Sequence, residues 1–95
     1  MGLEFTWDPA KAEANPKNHE GVSFEEASTV FADPLSVTIP DPDHSEEEER
    51  LLLLGRSSTG TLLVVSFVER GERIRLITAR KATRRERRDY EETEG

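Results

Sequence analysis

The sequence contains no cysteine, one methionine, one tryptophan and one tyrosine among its 95 residues. Without cysteine, the chain can form no disulfide, no thiolate zinc site and no thiol nucleophile. Only 34% of residues are hydrophobic while 35% are charged, so any core must be compact. The longest apolar runs, Leu51–Leu54 and Leu62–Val65, are too short to cross a bilayer. The first eight residues lack the pattern of a signal peptide, so we expect a cytoplasmic protein that does not bind membranes.

Several common kinds of ligand site are also missing. The six glycines do not form a phosphate-binding loop, and no serine stands in a nucleophile elbow. Two histidines are too few for a histidine-rich zinc site. The acidic stretch from Asp41 fails as a calcium loop, because Glu46 and Leu52 stand where glycine and glutamate are required. We therefore expect neither a metal ion nor an organic cofactor.

The net charge of −7 conceals a division of charge along the chain. Residues 1–50 hold 13 acidic and 3 basic side chains, whereas residues 51–95 hold 10 basic and 7 acidic ones. Nine of these bases fall within residues 70–88, which contain only two acids. This asymmetry favours a basic working surface, as in proteins that bind nucleic acid. A solvated helix with surface ion pairs is the alternative interpretation.

Local patterns predict a short strand, two helices and then a meander of four strands. The first strand is Glu4–Trp7, and Asp8 caps a helix that Pro16 should end or kink. Ser23–Glu26 is a capping box for the second helix, which Asp33 and the following proline stop. Alternating or continuous apolar patterns then predict strands at residues 35–39, 51–54, 62–68 and 73–79. In this order the helices and the four-stranded meander are segregated along the chain and do not alternate. We therefore predict one α+β domain over residues 1–95.

The last predicted helix begins at a second capping box, Thr83 to Glu86, and has almost no apolar face. It must therefore lie on the surface, contact a partner or bind an anion. Arg75 and Arg80 bracket the strand before it. Guanidinium groups beside a helix N-terminus suit a phosphate, and RNA can be cut through its own 2′-OH without a metal. This end of the chain is the best candidate for a functional site.

Proton transfer needs titrating groups, and His19, Tyr90 and Glu86 are the available candidates besides other carboxylates. Each has a purely structural alternative. His19 could cap the first helix, Tyr90 could pack over the sheet, and Glu86 could serve only its capping box.

Two stretches carry motifs that are recognisable as a set. The first is Phe5-x-Trp7-Asp8 with Lys11, Asn15 and His19, then Gly21-Val22-Ser23-Phe24-Glu25-Glu26-Ala27 and Val30-Phe31-x-Asp33-Pro34. The second is Arg75-Leu76-Ile77-Thr78-Ala79-Arg80-Lys81-Ala82-Thr83-x-x-Glu86-Arg87-x-x-Tyr90-Glu91. In this ordered pattern, over residues 5–91, the chain resembles the BrnT toxins. One segment departs from the family, which usually has Lys-His-Gly before Val-Ser-Phe. Here Asn18 replaces the lysine, and Glu20 is inserted between His19 and Gly21.

The resemblance implies a RelE-like α+β fold: an antiparallel sheet, two N-terminal helices packed on one face, and a basic C-terminal helix. It further implies the toxin of a bacterial type II toxin–antitoxin module, a metal-independent ribonuclease that arrests translation. A BrnA-type antitoxin would neutralise it, and the complex would bind DNA and repress the shared operon.

Carried over by motif, Arg75 and Arg80 would hold the scissile phosphate, and His19 or Tyr90 would move protons. Auxiliary contacts to the RNA backbone would come from Arg56, Lys81 and Arg84. Two other functions stay open. The chain could be an inactive homologue that only binds an antitoxin or operator, or an interaction domain whose last helix docks on an acidic partner.

Overall fold

A computed structural model describes residues 3–41 and 48–94, with side chains to residue 92, and these residues form one β-sheet with flanking helices. The capping box at Thr83 and the strand patterns predicted most of these elements. The acidic stretch that fails as a calcium loop begins at Asp41, and its residues 42–47 lie outside the described part of the chain. The elements are β1 Glu4–Thr6, α1 Pro9–Asn18, α2 Phe24–Thr29, a 3-10 turn Val30–Ala32, β2 Val37–Pro40, β3 Leu51–Arg56, β4 Leu62–Arg70, β5 Arg73–Lys81 and α3 Arg84–Glu94.

The sheet has the strand order β1-β5-β4-β3-β2. Its last four strands form the predicted antiparallel meander, and β1 adds to its edge in parallel with β5. A strand covered on both faces has a continuous apolar sequence, and in β4 every residue from Leu62 to Val68 is buried. The α+β prediction is therefore confirmed.

The strand predicted at residues 35–39 starts later, at Val37. Asp33 explains the difference, because its carboxylate accepts a hydrogen bond from the Leu35 amide at 2.9 Å. The Ser36 amide donates to the Asp33 carbonyl at 3.1 Å. These contacts form an aspartate-centred turn that holds Leu35 out of the ladder.

One face of the sheet, the helix face, carries the main core. Phe24, Ala27 and Val30 from α2 and the 3-10 turn are fully buried against alternate residues of β3, β4 and β5. Aromatic rings extend the packing, with Phe31 edge-to-face on both Phe5 and Phe67 at centroid distances of 5.1 and 5.0 Å. Ala12 of α1 packs against the same cluster, so the two N-terminal helices share one face, as predicted.

Helix α1 does not end at Pro16, one of the two effects expected of that proline; it continues to Asn18. The buried Asn15 side chain holds this turn in place. Its amide nitrogen donates to the carbonyls of Val22 and Ala79, both at 2.8 Å, and its oxygen accepts from the Ala79 amide at 3.2 Å. Tertiary bonds to β5 thus stabilise a helical turn from which proline removes one backbone bond.

Helix α3 lies against the opposite face of the sheet, the α3 face, where Leu54 and Val64 line a groove with its Glu86 and Asp89. Its other residues with described side chains are exposed or half-buried, except Tyr90, which is 1% exposed. The helix is thus a surface helix, as its composition predicted, with a single aromatic anchor.

Candidate functional site

The end of β5 brings basic residues together with the end of α1. Successive strand residues point to opposite faces, so Arg80, beside Val64, lies on the α3 face, and Lys81, beside Leu63, lies on the helix face. Between the strand end and α1 is an open groove of about 300 Å³. We call it the His19 groove; its lining residues are Asn18, His19, Glu20, Arg80, Lys81 and Thr83.

His19 reaches this groove because its backbone is fixed on both sides. It is the C-cap of α1, and its amide donates to the Asn15 carbonyl at 2.9 Å. Its own carbonyl accepts from the Val22 amide at 3.1 Å. The Asn15 side chain is hydrogen-bonded to Ala79 of β5. These bonds fix the distance between His19 and the residues that follow Ala79, namely Arg80 and Lys81. Asn15 is therefore a positioning residue that the sequence argument treated only as part of a motif.

Arg80 makes a bidentate ion pair with Glu86 at the start of α3. Its two terminal nitrogens donate to the two carboxylate oxygens at 2.8 and 2.9 Å. Glu86 also accepts from the Thr83 amide at 2.8 Å, and its own amide donates to the Thr83 hydroxyl at 3.2 Å. The predicted capping box is confirmed, and the same glutamate orients the arginine fork.

These bonds have a chemical consequence for Glu86. The hydrogen bonds from Arg80, helped by the one from the Thr83 amide, lower its pKa from 4.5 to about 2. A carboxylate with so low a pKa is a weak proton acceptor. Among the candidates for proton transfer, Glu86 is thus the least suited, and its role in this structure is to hold Arg80.

A second cluster joins α3 to the end of β3. The Tyr90 hydroxyl donates to an Asp33 carboxylate oxygen at 2.6 Å, and the Arg56 amide donates to the same oxygen at 2.8 Å. The Arg56 guanidinium lies 5.3 Å from the centre of the Tyr90 ring, within the range of a cation–π contact. A Cβ at Gly55 would lie 2.9 Å from side-chain atoms of Ser36 and Val30 and 3.0 Å from the Asp33 carboxylate, so this close approach requires glycine.

Asp33 titrates abnormally because of these donors. Burial raises the pKa of its carboxyl, but the hydrogen bonds from the Arg56 amide, the Tyr90 hydroxyl and the Leu35 amide outweigh burial and lower it. Asp33 is therefore ionised at neutral pH, and the buried Tyr90 hydroxyl faces a carboxylate. To move a proton on a substrate, Tyr90 would have to leave this bond.

Arg75 lies at the other end of β5, beside Val68 of β4 and Thr6 of β1. Arg75 stands five positions before Arg80, but the two pair with β4 residues only four positions apart, a distance of roughly 13 Å along the sheet. An odd spacing would normally place the two arginines on opposite faces. A bulge at Ile77, where the pairing shifts from Thr78 to Leu76, restores them to the same face.

The structure therefore divides the predicted residues into groups. His19, Arg80 and Lys81 line one groove, and Arg84 starts α3 directly after Thr83. Tyr90, one helical turn beyond Glu86 on α3, meets Arg56 at Asp33 instead. Arg75 shares the α3 face but not the groove.

Asn15 and Asp33 belong to the site but were not predicted as parts of it from the sequence. A polar residue at a helical position that faces the core is the signal for the first. Asp33 gave no such signal, because an aspartate before proline is expected to end a helix.

Across residues 3–41 and 48–92, no three histidine, aspartate or glutamate side chains converge where they could hold a metal ion. No helix in the same part of the chain is long and apolar enough to cross a membrane.

The fold and the groove define a small α+β protein with a basic site between the end of a strand and the end of a helix. The solved structure of the ribonuclease toxin BrnT from Brucella abortus superimposes with a TM-score of 0.66, covering 87% of this chain and 100% of that one at 19% identity. A model of the ribonuclease toxin BrnT of type II toxin–antitoxin systems matches residues 7–86. The chain belongs to this family of BrnT ribonuclease toxins. No curated protein matches the sequence.

Proposed function

We propose that the protein is an endoribonuclease that cleaves RNA with its own side chains and the substrate's 2′-OH, without a metal ion. The observation that carries this proposal is the His19 groove, where a histidine shares the lining with Arg80 and Lys81 in a member of a ribonuclease toxin family. Backbone cleavage requires positive charge on the phosphoryl oxygens, a proton acceptor for the 2′-OH and a proton donor for the leaving 5′ oxygen.

The residues take the following roles in this proposal. Arg80 neutralises the scissile phosphate, because a guanidinium matches two phosphate oxygens at once. Since both terminal nitrogens are bonded to Glu86 in this structure, Arg80 meets the phosphate by exchanging that carboxylate or through N–H groups that Glu86 does not engage. His19 moves protons at the 2′-OH or the leaving oxygen. Tyr90 contributes only if α3 shifts and frees its hydroxyl from Asp33. Arg75, expected at the scissile phosphate with Arg80, lies further along the strand, so we assign it a contact to a neighbouring part of the RNA backbone. Auxiliary backbone contacts come from Arg56, Lys81 and Arg84.

In the cell, this cleavage would inhibit translation. A BrnA-type antitoxin would bind and neutralise the protein, and their complex would bind operator DNA. The family description of a type II toxin–antitoxin system supports an antitoxin partner.

Cleavage of a labelled RNA by purified protein tests the proposal. Arg80→Ala should slow cleavage about 100-fold or more, the usual cost of losing one group that stabilises transition-state charge. Arg80→Lys should fall between Arg80→Ala and wild type, because lysine keeps the charge but loses the fork. Arg73→Ala is the matched control, since Arg73 is an exposed arginine at the other end of the same strand. Wild-type protein that leaves RNA intact over a range of pH, with chelator or with added divalent cations, would contradict the proposal.

One observation favours a second candidate, an inactive homologue that only binds its antitoxin. Both Arg80 and Tyr90 are engaged by carboxylates of the chain itself. Tight binding of the protein encoded by the neighbouring reading frame, without any RNA cleavage or growth arrest on expression, would support this candidate.

A further inference from the structure

The two adjacent cations of the His19 groove are each occupied by a carboxylate of this chain, but in different ways. Arg80 is paired with Glu86 through two hydrogen bonds that also form part of the helix cap. Lys81 is paired with Glu20, whose carboxylate oxygen lies 3.6 Å from the lysine nitrogen. The Glu20 and Lys81 side chains are 76% and 50% exposed, so this second pair is open to solvent and can exchange partners.

The backbone at Glu20 is unusual. Its φ is +53°, the one positive φ of a non-glycine residue in the described part of the chain. The left-handed region disfavours side chains with a Cβ, and glycine or asparagine is the usual occupant. Gly21 follows with a φ of +82°. Backbone preference therefore does not explain a glutamate at this position. The ion pair of Glu20 with Lys81 across the groove does, since strained backbone is often found at functional sites.

We propose that Glu20 limits the affinity of this protein for RNA by holding Lys81 in the place of a backbone phosphate. This inference rests on the proposed function, since it concerns the same groove. An RNA strand that enters must either displace the Glu20 carboxylate from Lys81 or bind without that lysine. In both cases the negative charge at the groove repels the phosphate, and binding is weaker and less dependent on salt than the basic residues alone would produce.

The test measures binding of a short 2′-O-methyl oligoribonucleotide, which has no free 2′-OH and is not cleaved, over a series of salt concentrations. Glu20→Gln keeps the size of the side chain and removes its charge. We expect binding about two- to fivefold tighter at low salt, the range for one exposed charge pair. The slope of log affinity against log salt should steepen by about 0.7, the value for one further phosphate contact on a single strand.

Two comparisons separate this effect from a general change in charge or stability. Glu13→Gln removes the same charge from another exposed pair, that of Glu13 with Lys17 on α1, and should leave both affinity and slope close to wild type. In a Lys81→Gln background, Glu20→Gln should no longer steepen the slope. Glu20→Gly, which relieves the backbone strain as well, should bind like Glu20→Gln without a loss in melting temperature.

The outcomes are distinct. Equal affinity and slope for wild type and Glu20→Gln, with RNA bound by both, would overturn the role of Glu20 while leaving the proposed ribonuclease intact. A steeper slope that persists without Lys81 would overturn it as well. Absence of RNA binding in every variant, including those without Glu20, would count against the proposed function itself.

Discussion

The two faces of the sheet differ in what holds their helices. On the helix face, α2 and the 3-10 turn bury Phe24, Ala27 and Val30 completely in a continuous apolar cluster. On the α3 face, the helix is attached through one buried tyrosine, one arginine–glutamate pair and contacts at the end of the strands. The stabilising free energy of apolar burial is proportional to the buried area, and a continuous apolar cluster is hard to open locally. A few polar contacts can break separately. Stability is therefore concentrated on the helix face, and Arg80 and Tyr90, two of the residues proposed to meet RNA, lie on the face where the structure can adjust.

The largest effect should come from the helix face. Phe24→Ala removes a fully buried ring that packs edge-to-face on Trp7 at 5.7 Å. We expect the free energy of unfolding to fall by about 3–5 kcal/mol, because the protein loses the burial of the ring and also keeps a cavity in its place. Urea denaturation followed by tryptophan fluorescence would measure this loss.

Ile39→Ala provides the control, because Ile39 is 52% exposed on the edge strand β2. It should change stability by about 0.5 kcal/mol or less. Comparable losses for the two variants would show that the helix face is not the main source of stability.

A smaller effect is expected where α3 is anchored. Tyr90→Phe keeps the buried ring and removes only the hydroxyl that donates to Asp33. A hydrogen bond to a charged group contributes about 1.5–3 kcal/mol, and the Arg56 and Leu35 amides still satisfy the carboxylate. We expect a loss near the lower end of that range. Amide hydrogen exchange should show the added opening in α3 rather than in α2.

Exchange that rises equally in α2 and α3 would contradict local opening of α3, since it would mean that both helices open only by global unfolding. Arg88→Gln is a suitable control on the same helix, because Arg88 is exposed and should not alter the exchange pattern.

Local patterns predicted much of this architecture. Apolar runs located β3 and β4, and short polar motifs located the helix starts, because these signals act between residues close in sequence. At α2, the Ser23 hydroxyl accepts from the Glu26 amide as predicted. The Glu26 carboxylate instead accepts from Ser57 and Thr59 in the β3–β4 turn. A long-range contact of this kind is invisible in a motif.

The site was harder to predict for the same reason. Arg75 and Arg80 share a face only because of the bulge at Ile77, which a count of alternating residues cannot reveal. His19 and Lys81 meet because Asn15 bonds to Ala79, 64 residues away in sequence. The pairing of Tyr90 with Asp33 spans 57 residues. The residue types were informative, but their grouping depended on tertiary contacts.

The smallest predicted effect concerns acid stability on the α3 face. The pKa of Glu86 is about 2 in the folded protein, against an ordinary 4.5, chiefly because of Arg80. A depressed carboxyl pKa adds stability that is complete above the ordinary value and lost as pH falls through the folded one. Glu86→Gln should therefore destabilise the protein at pH 7 by about 1 kcal/mol, a figure reduced for solvent screening of this partly exposed pair. The difference from wild type should shrink as pH falls from 4.5 toward 2.

Denaturant titrations at several pH values would measure that difference, and a second substitution identifies its source. In an Arg80→Gln background, Glu86→Gln should cause a smaller loss with a weaker pH dependence, because the partner that lowers the pKa is gone. A loss that is the same at pH 7 and pH 2.5 would instead reflect the helix cap alone, since the Thr83 amide can still donate to the glutamine oxygen. In that case the ion pair would add nothing measurable to the attachment of α3, and Tyr90 would be its main anchor.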